Sequence, residues 1–90
     1  MSMIFSVKTM TKYYLKEHVT DEMLQAVGFY KTPYQHHRCD VNNNHHVIVD
    51  KNTHEVNAVK YDFQLLKLVD IESDKLQDLL DLNYVGVRND

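Results

Sequence analysis

Apolar positions alternate with polar ones early in the chain. Tyr13, Leu15 and Val19 stand against Tyr14, Lys16 and His18, the two-residue period of a strand with one buried face. Thr20-Asp21-Glu22 then changes the rhythm. A threonine that can cap, followed by two acids where the helix dipole favours negative charge, predicts a helix start. Met23, Leu24 and Val27 fall on one face of that helix, and Gly28 supplies the left-handed residue that stops it. A competing reading runs one helix from Thr11 to Val27, using Leu15, Val19, Met23 and Val27. Strand followed by helix is preferred, because Thr20 serves better as a cap than inside a helix.

Phe29-Tyr30 opens a further strand, which Pro33 bends or confines to an edge. Residues Gln35 to Val41 and His45 to Asp50 read as two strands joined by Asn42-Asn43-Asn44, since asparagine tolerates positive φ and bonds to its own backbone. Asp50-Lys51-Asn52-Thr53 is a second turn, leading into a strand from Glu55 to Tyr61. Three strands and two turns make an antiparallel meander. Phe63 to Val69 fits a buried strand or a short helix equally well. Ser73-Asp74 caps a second helix with Leu76, Leu79 and Leu80 inward. Asn83 ends it, and Tyr84 to Val87 closes the chain as a strand before a frayed tail at 88–90. The two helices share one plan of cap, acid, apolar face, left-handed stop and aromatic strand. The expected fold class is α+β: an antiparallel sheet of four to five strands with two short helices packed on one face. Residues 1–90 form a single domain in this reading, with 1–9 an N-terminal extension ahead of a second start at Met10.

Composition narrows the function more than it names it. Ninety residues, 43% hydrophobic and 26% charged, make one modest core. A chain of this size hides only about 60–65% of its unfolded surface, which leaves little room for a deep substrate pocket. The formal net charge is −3, unlike the basic excess of most nucleic-acid binders. Residues 1–61 carry seven Lys/Arg against six Asp/Glu, and residues 62–90 three against seven, so the acidic end suits a solvated helix face or a basic protein partner. One cysteine, Cys39, excludes an internal disulfide framework, as in a reducing compartment. No segment reaches the roughly 20 apolar residues that span a bilayer, and the start lacks a basic leader, so a cytoplasmic location is expected.

The candidate chemistry centres on His36, His37, Cys39, His45, His46 and His54. With Asn42–Asn44 as a three-residue loop, Cys39 faces Val47 and His37 faces Val49. His37, Cys39 and His45 then share one face as low-ranking zinc ligands, while His36 and His46 fall on the other. Those three share their face with Val41, Val47 and Val49, so the favoured reading is sheet histidines and a packed thiol, with no metal or other cofactor. Histidine titrates near pH 6.5, so this composition alone gives some pH sensitivity. Catalysis by Cys39 needs a base held by a third group, and Asp40 points away from His37. The glycines and acid-plus-asparagine frame of a metal nuclease are missing around residues 42–46. No enzyme is expected.

Six tyrosines lie on or beside the predicted strands, a setting favoured in sheets and at interfaces alike. Tyr13, Tyr14, Tyr30 and Tyr34, with Lys12, Lys16, Lys31 and Arg38, form the expected interaction surface. The same basic and aromatic residues would carry the alternative, weak binding of nucleic acid.

The stretch from Lys12 to Phe29, KYYLKEHVTDEMLQAVGF, and the stretch from Asp78 to Val85, DLLDLNYV, resemble small accessory proteins of bacteriophages and prophages of Gram-positive bacteria. In these a strand leads into a short T-D-E-M-L helix, then a hairpin, then a helix ending in a glycine- or asparagine-stopped strand. The resemblance covers residues 10–87 and rests on caps and turns. It implies an accessory protein that binds a host or phage protein, and it implies no active site. The expected function is therefore a non-catalytic interaction module, a modulator of a host protein that is homodimeric through an edge strand or its tyrosine-bearing face. A zinc-stapled domain on His37, Cys39 and His45 stands beside nucleic-acid binding as an alternative, and no membrane partner is expected.

Overall fold

The computed structural model describes residues 11–89. The extension read at 1–9 lies outside them. The elements run β1 (Thr11–Leu15), α1 (Asp21–Ala26), β2 (His37–Asn42), β3 (His45–Val49), β4 (Val56–Asp62), β5 (Lys67–Asp70), α2 (Asp74–Asp81) and β6 (Val85–Asn89). The α+β class stands, and the meander gains a fourth strand: β2, β3, β4 and β5 pair in sequence order. β1 and β6 make a separate two-stranded antiparallel sheet, in register from Thr11 opposite Asn89 to Leu15 opposite Val85. The two sheets meet at a Tyr14–Glu55 bridge, where the Leu15 amide also donates to the His54 carbonyl at 2.9 Å.

Both helices start and stop by the same chemistry. The Thr20 hydroxyl accepts from the Met23 amide at 3.2 Å, and the Ser73 hydroxyl accepts from the Leu76 amide at 3.4 Å. After α1 the Gly28 amide donates to Gln25 and the Phe29 amide to Leu24, at 3.1 and 3.0 Å. After α2 the Asn83 amide donates to Leu80 and the Tyr84 amide to Leu79, both at 3.0 Å. These paired bonds are Schellman stops, and they need a left-handed residue at C′. Gly28 (φ 99°) and Asn83 (φ 64°) provide it. Phe29 and Leu24, brought together by the first stop, are both buried.

One core cluster draws buried side chains from β3, β4 and both helices. Val47, Val49, Val56 and Ala58 pack with Leu15, Leu24, Phe29, Leu76, Leu79 and Val85 in one cluster. Val59 is also buried but stands outside that cluster, because alternation turns it to the opposite face beside Tyr61. No helix among the described residues is long and apolar enough to cross a membrane.

Three local expectations change. Phe29-Tyr30 is not a strand; Tyr30 makes one isolated bridge to Arg38. The β2–β3 connection is not a three-residue loop, because Asn42 pairs with His45 and the register shifts between Asp40 and Asn42. A bulge at Val41 takes up the extra residue, and leaves that valine exposed instead of on the core face. The ambiguous run at 63–69 is neither a buried strand nor a helix. Asp62 Oδ1 accepts from the Gln64 and Leu65 amides at 2.9 Å, and Leu66 takes a positive φ of 55°. The chain thus turns into β5, a strand on the edge of the sheet.

Candidate functional site

The proposed trio of His37, Cys39 and His45 does not converge. The β2–β3 register does place all three on the inner face, as alternation demands, yet His45 and Cys39 are each taken up elsewhere. His45 Nε2 lies 2.7 Å from the Ser73 hydroxyl, tying β3 to the start of α2. Cys39 is buried, with its sulfur packed where a Cβ on Gly28 would meet it at 3.6 Å. Burial pushes the Cys39 thiol upward, which keeps it protonated and a poor ligand.

A different group does converge, and it contains the pair that alternation was expected to separate. One donor atom from each of Asp21, His36 and His37 lies within 4.8 Å of the other two. The cause is local. His37 is the first residue of β2, so strand alternation does not govern His36. The His36 amide donates to the Val49 carbonyl at 2.9 Å, which holds the chain against β3 while its ring turns toward His37. The two imidazoles stand edge to face, with centroids 4.5 Å apart. Asp21 reaches them from the first turn of α1, where the Thr20 cap fixes it. Its Oδ1 is 3.8 Å from Nε2 of His36 and 3.8 Å from Nε2 of His37. Lys31 Nζ occupies the other oxygen, Oδ2, at 2.6 Å. The exposed His54 stacks on the outer side of His36, centroids 4.8 Å apart.

The electrostatics follow from this geometry. His37 has no exposed surface, and neither of its ring nitrogens has a hydrogen-bond partner among the described residues. Burial lowers the His37 pKa, and repulsion from His36 adds to the effect, while Asp21 opposes it. His36 is lowered likewise, first by burial and then by His54. The Lys31 ammonium holds the Asp21 carboxyl below its ordinary value.

The tyrosines and cations expected to form one interaction surface are mostly engaged within the fold. Tyr13 packs against the core, and Tyr14 lies under Gly86 with the Arg88 guanidinium 5.5 Å from its ring centre. Lys16 donates to Asn83 Oδ1 at 2.5 Å, and Lys12 is half-buried in β1. On the other sheet, Asp40 gathers three partners. The Tyr30 hydroxyl donates to Oδ2 at 2.5 Å, Arg38 Nε to Oδ1 at 2.8 Å, and His46 Nδ1 lies 2.6 Å from Oδ1. Together they hold the Asp40 carboxyl at about 2. Tyr34 is the one member of the set that is almost wholly exposed, at 83%.

The feature that sequence reading missed is the β4–β5 hairpin. Phe63, Leu65, Leu66 and Leu68 are 74, 59, 72 and 52% exposed. Tyr61 meets Phe63 edge to face at 5.0 Å, which continues the apolar stretch onto β4. Among the described residues only β4 pairs with β5, so its outer edge offers unpaired backbone groups beside those side chains. The signal lay in Asp62, a residue that starts side-chain-bonded turns, just before the run of leucines. Comparison with protein-family models, curated proteins and solved structures gives no match.

Proposed function

We propose that this chain is a non-catalytic protein-interaction module of the cytoplasm, the accessory kind that its phage resemblance implies, and that the β4–β5 hairpin is its contact surface. The observation that carries the reading is the exposure of Phe63, Leu65, Leu66 and Leu68 on one edge hairpin. Large apolar side chains gathered on a small domain's surface commonly mark an interface. An edge strand beside them adds main-chain pairing to side-chain burial, the way β-strand addition joins two chains. A second copy of this chain is the occupant expected first, since a free β5 edge can pair antiparallel with its own duplicate across a two-fold axis. Cys39 is buried and protonated in character, so it offers no accessible nucleophile, which agrees with a non-catalytic role.

Sedimentation across a range of concentrations tests this. The native chain is expected to dimerise, and Leu65→Asp/Leu68→Asp is expected to sediment as a monomer with unchanged circular dichroism. Neither leucine belongs to the core cluster, so the fold does not depend on them. A native chain that stays monomeric at high concentration, or a dimer indifferent to the double substitution, would refute the assignment of this hairpin.

A further inference from the structure

We propose that Asp21, His36 and His37 bind a zinc ion, through Asp21 Oδ1 and the Nε2 atoms of the two histidines. Three independent observations meet here. The donors already lie close: 3.8 Å separates the carboxylate oxygen from each Nε2. Ligands around a tetrahedral zinc at about 2.0–2.1 Å sit roughly 3.3–3.4 Å from one another, so each carboxylate–imidazole edge needs to close by only about half an ångström. Second, His37 is fully buried with both nitrogens unpartnered. A buried polar group without a partner is costly, and a metal bond to Nε2 would satisfy one of the two nitrogens. Third, Lys31 takes only Oδ2 of Asp21, which leaves Oδ1 facing the imidazoles.

The donor chemistry selects the ion. Two imidazole nitrogens and one carboxylate oxygen suit zinc and its neighbours, whereas calcium and magnesium take oxygen ligands. Zinc needs its histidines neutral, and burial favours the neutral form of both rings. Asp21 and His36 are part-exposed, at 37 and 28% of their side chains, and give the ion a way in. A water molecule completes the fourth position. The bound ion would tie the first turn of α1 to the start of β2, elements joined by no strand pairing. This site shares only His37 with the trio considered from sequence, and it does not depend on the β4–β5 hairpin.

The test uses the full chain, stripped with chelator and then titrated with zinc by calorimetry and with cobalt by visible absorption. One ion per chain is expected, with the strong absorption of tetrahedral cobalt and a higher unfolding temperature on adding zinc. Asp21→Asn and His36→Gln are each expected to weaken binding at least tenfold, while both remain folded without metal. His45→Gln and His46→Gln are expected to bind as the native chain does. Absence of stoichiometric binding would overturn the proposal, as would binding that survives both Asp21→Asn and His36→Gln, or binding lost in His45→Gln or His46→Gln. His37→Gln alters a buried residue, so the two part-exposed ligands carry the decision.

Discussion

His37 stands with its ring wholly inside and Asp21, His36 and Lys31 as the titratable groups around it. Its folded pKa lies below 6.5, and so does that of His36, which faces His54, Asp21 and Lys31. The sign of the linkage is fixed by this. Above pH 6.5 both rings are neutral in either state, and stability is at its full value. As pH falls below that point the unfolded chain takes up protons that the fold resists, so stability declines until the folded rings protonate as well. Asp40 adds a second, more acidic window. Its folded pKa of about 2 lies below the ordinary 3.8, so its contribution holds above 3.8 and is lost as pH falls toward 2. Urea midpoints measured in chelator from pH 8 downward are expected to fall as the pH drops below 6.5, and His36→Gln is expected to flatten that fall. Equal slopes in the two proteins would remove His36 from the account. At this scale the residue types were legible in the sequence and their convergence was not. Alternation predicts which face a side chain takes only within a strand, and His36 stands just before one.

The elements were most legible where one residue type alone fits the backbone. Thr20, Ser73, Gly28 and Asn83 were all read as caps or stops, and all four take those roles. The two stops differ in how they tolerate change. Gly28→Ala puts a Cβ on a residue at φ 99°, beside Cys39 Sγ at 3.6 Å, and is expected to cost roughly 1–2 kcal/mol. Asn83→Gly keeps the left-handed turn while losing the Lys16 bond, so it is expected to change stability by only a few tenths of a kcal/mol. Thermal or urea unfolding of the two variants reads the difference, and equal losses would mean that the stops do not act through backbone conformation. Elements were least legible where side-chain and backbone signals conflict. The leucines of 63–69 suggest burial, but Asp62 bends the chain before they can reach the core, and β5 remains at the edge. The bulge at Val41 was hidden for a similar reason: three asparagines permit several loop lengths, and only pairing with β3 chooses among them.

At the scale of the whole molecule, the described residues divide into a meander built from sequence neighbours and a pair of strands drawn from opposite ends. The meander was readable because each of its turns carries its own signal. The β1–β6 pairing was not, since nothing in either segment names a partner so far along the chain. What the two ends do together also decides when the fold can be finished. Contacts close in sequence form early, and those that close a long loop wait on the entropy of bringing distant segments together. Amides of β3 and β4 are therefore expected to gain protection from hydrogen exchange before those of β1 and β6 in a refolding pulse experiment. On the ribosome the order is stricter, because Leu15 meets Val85 only after all the elements between them have been made. Until then the first strand is an unclasped edge, and a nascent chain that stalls short of β6 would carry that edge into a crowded cell.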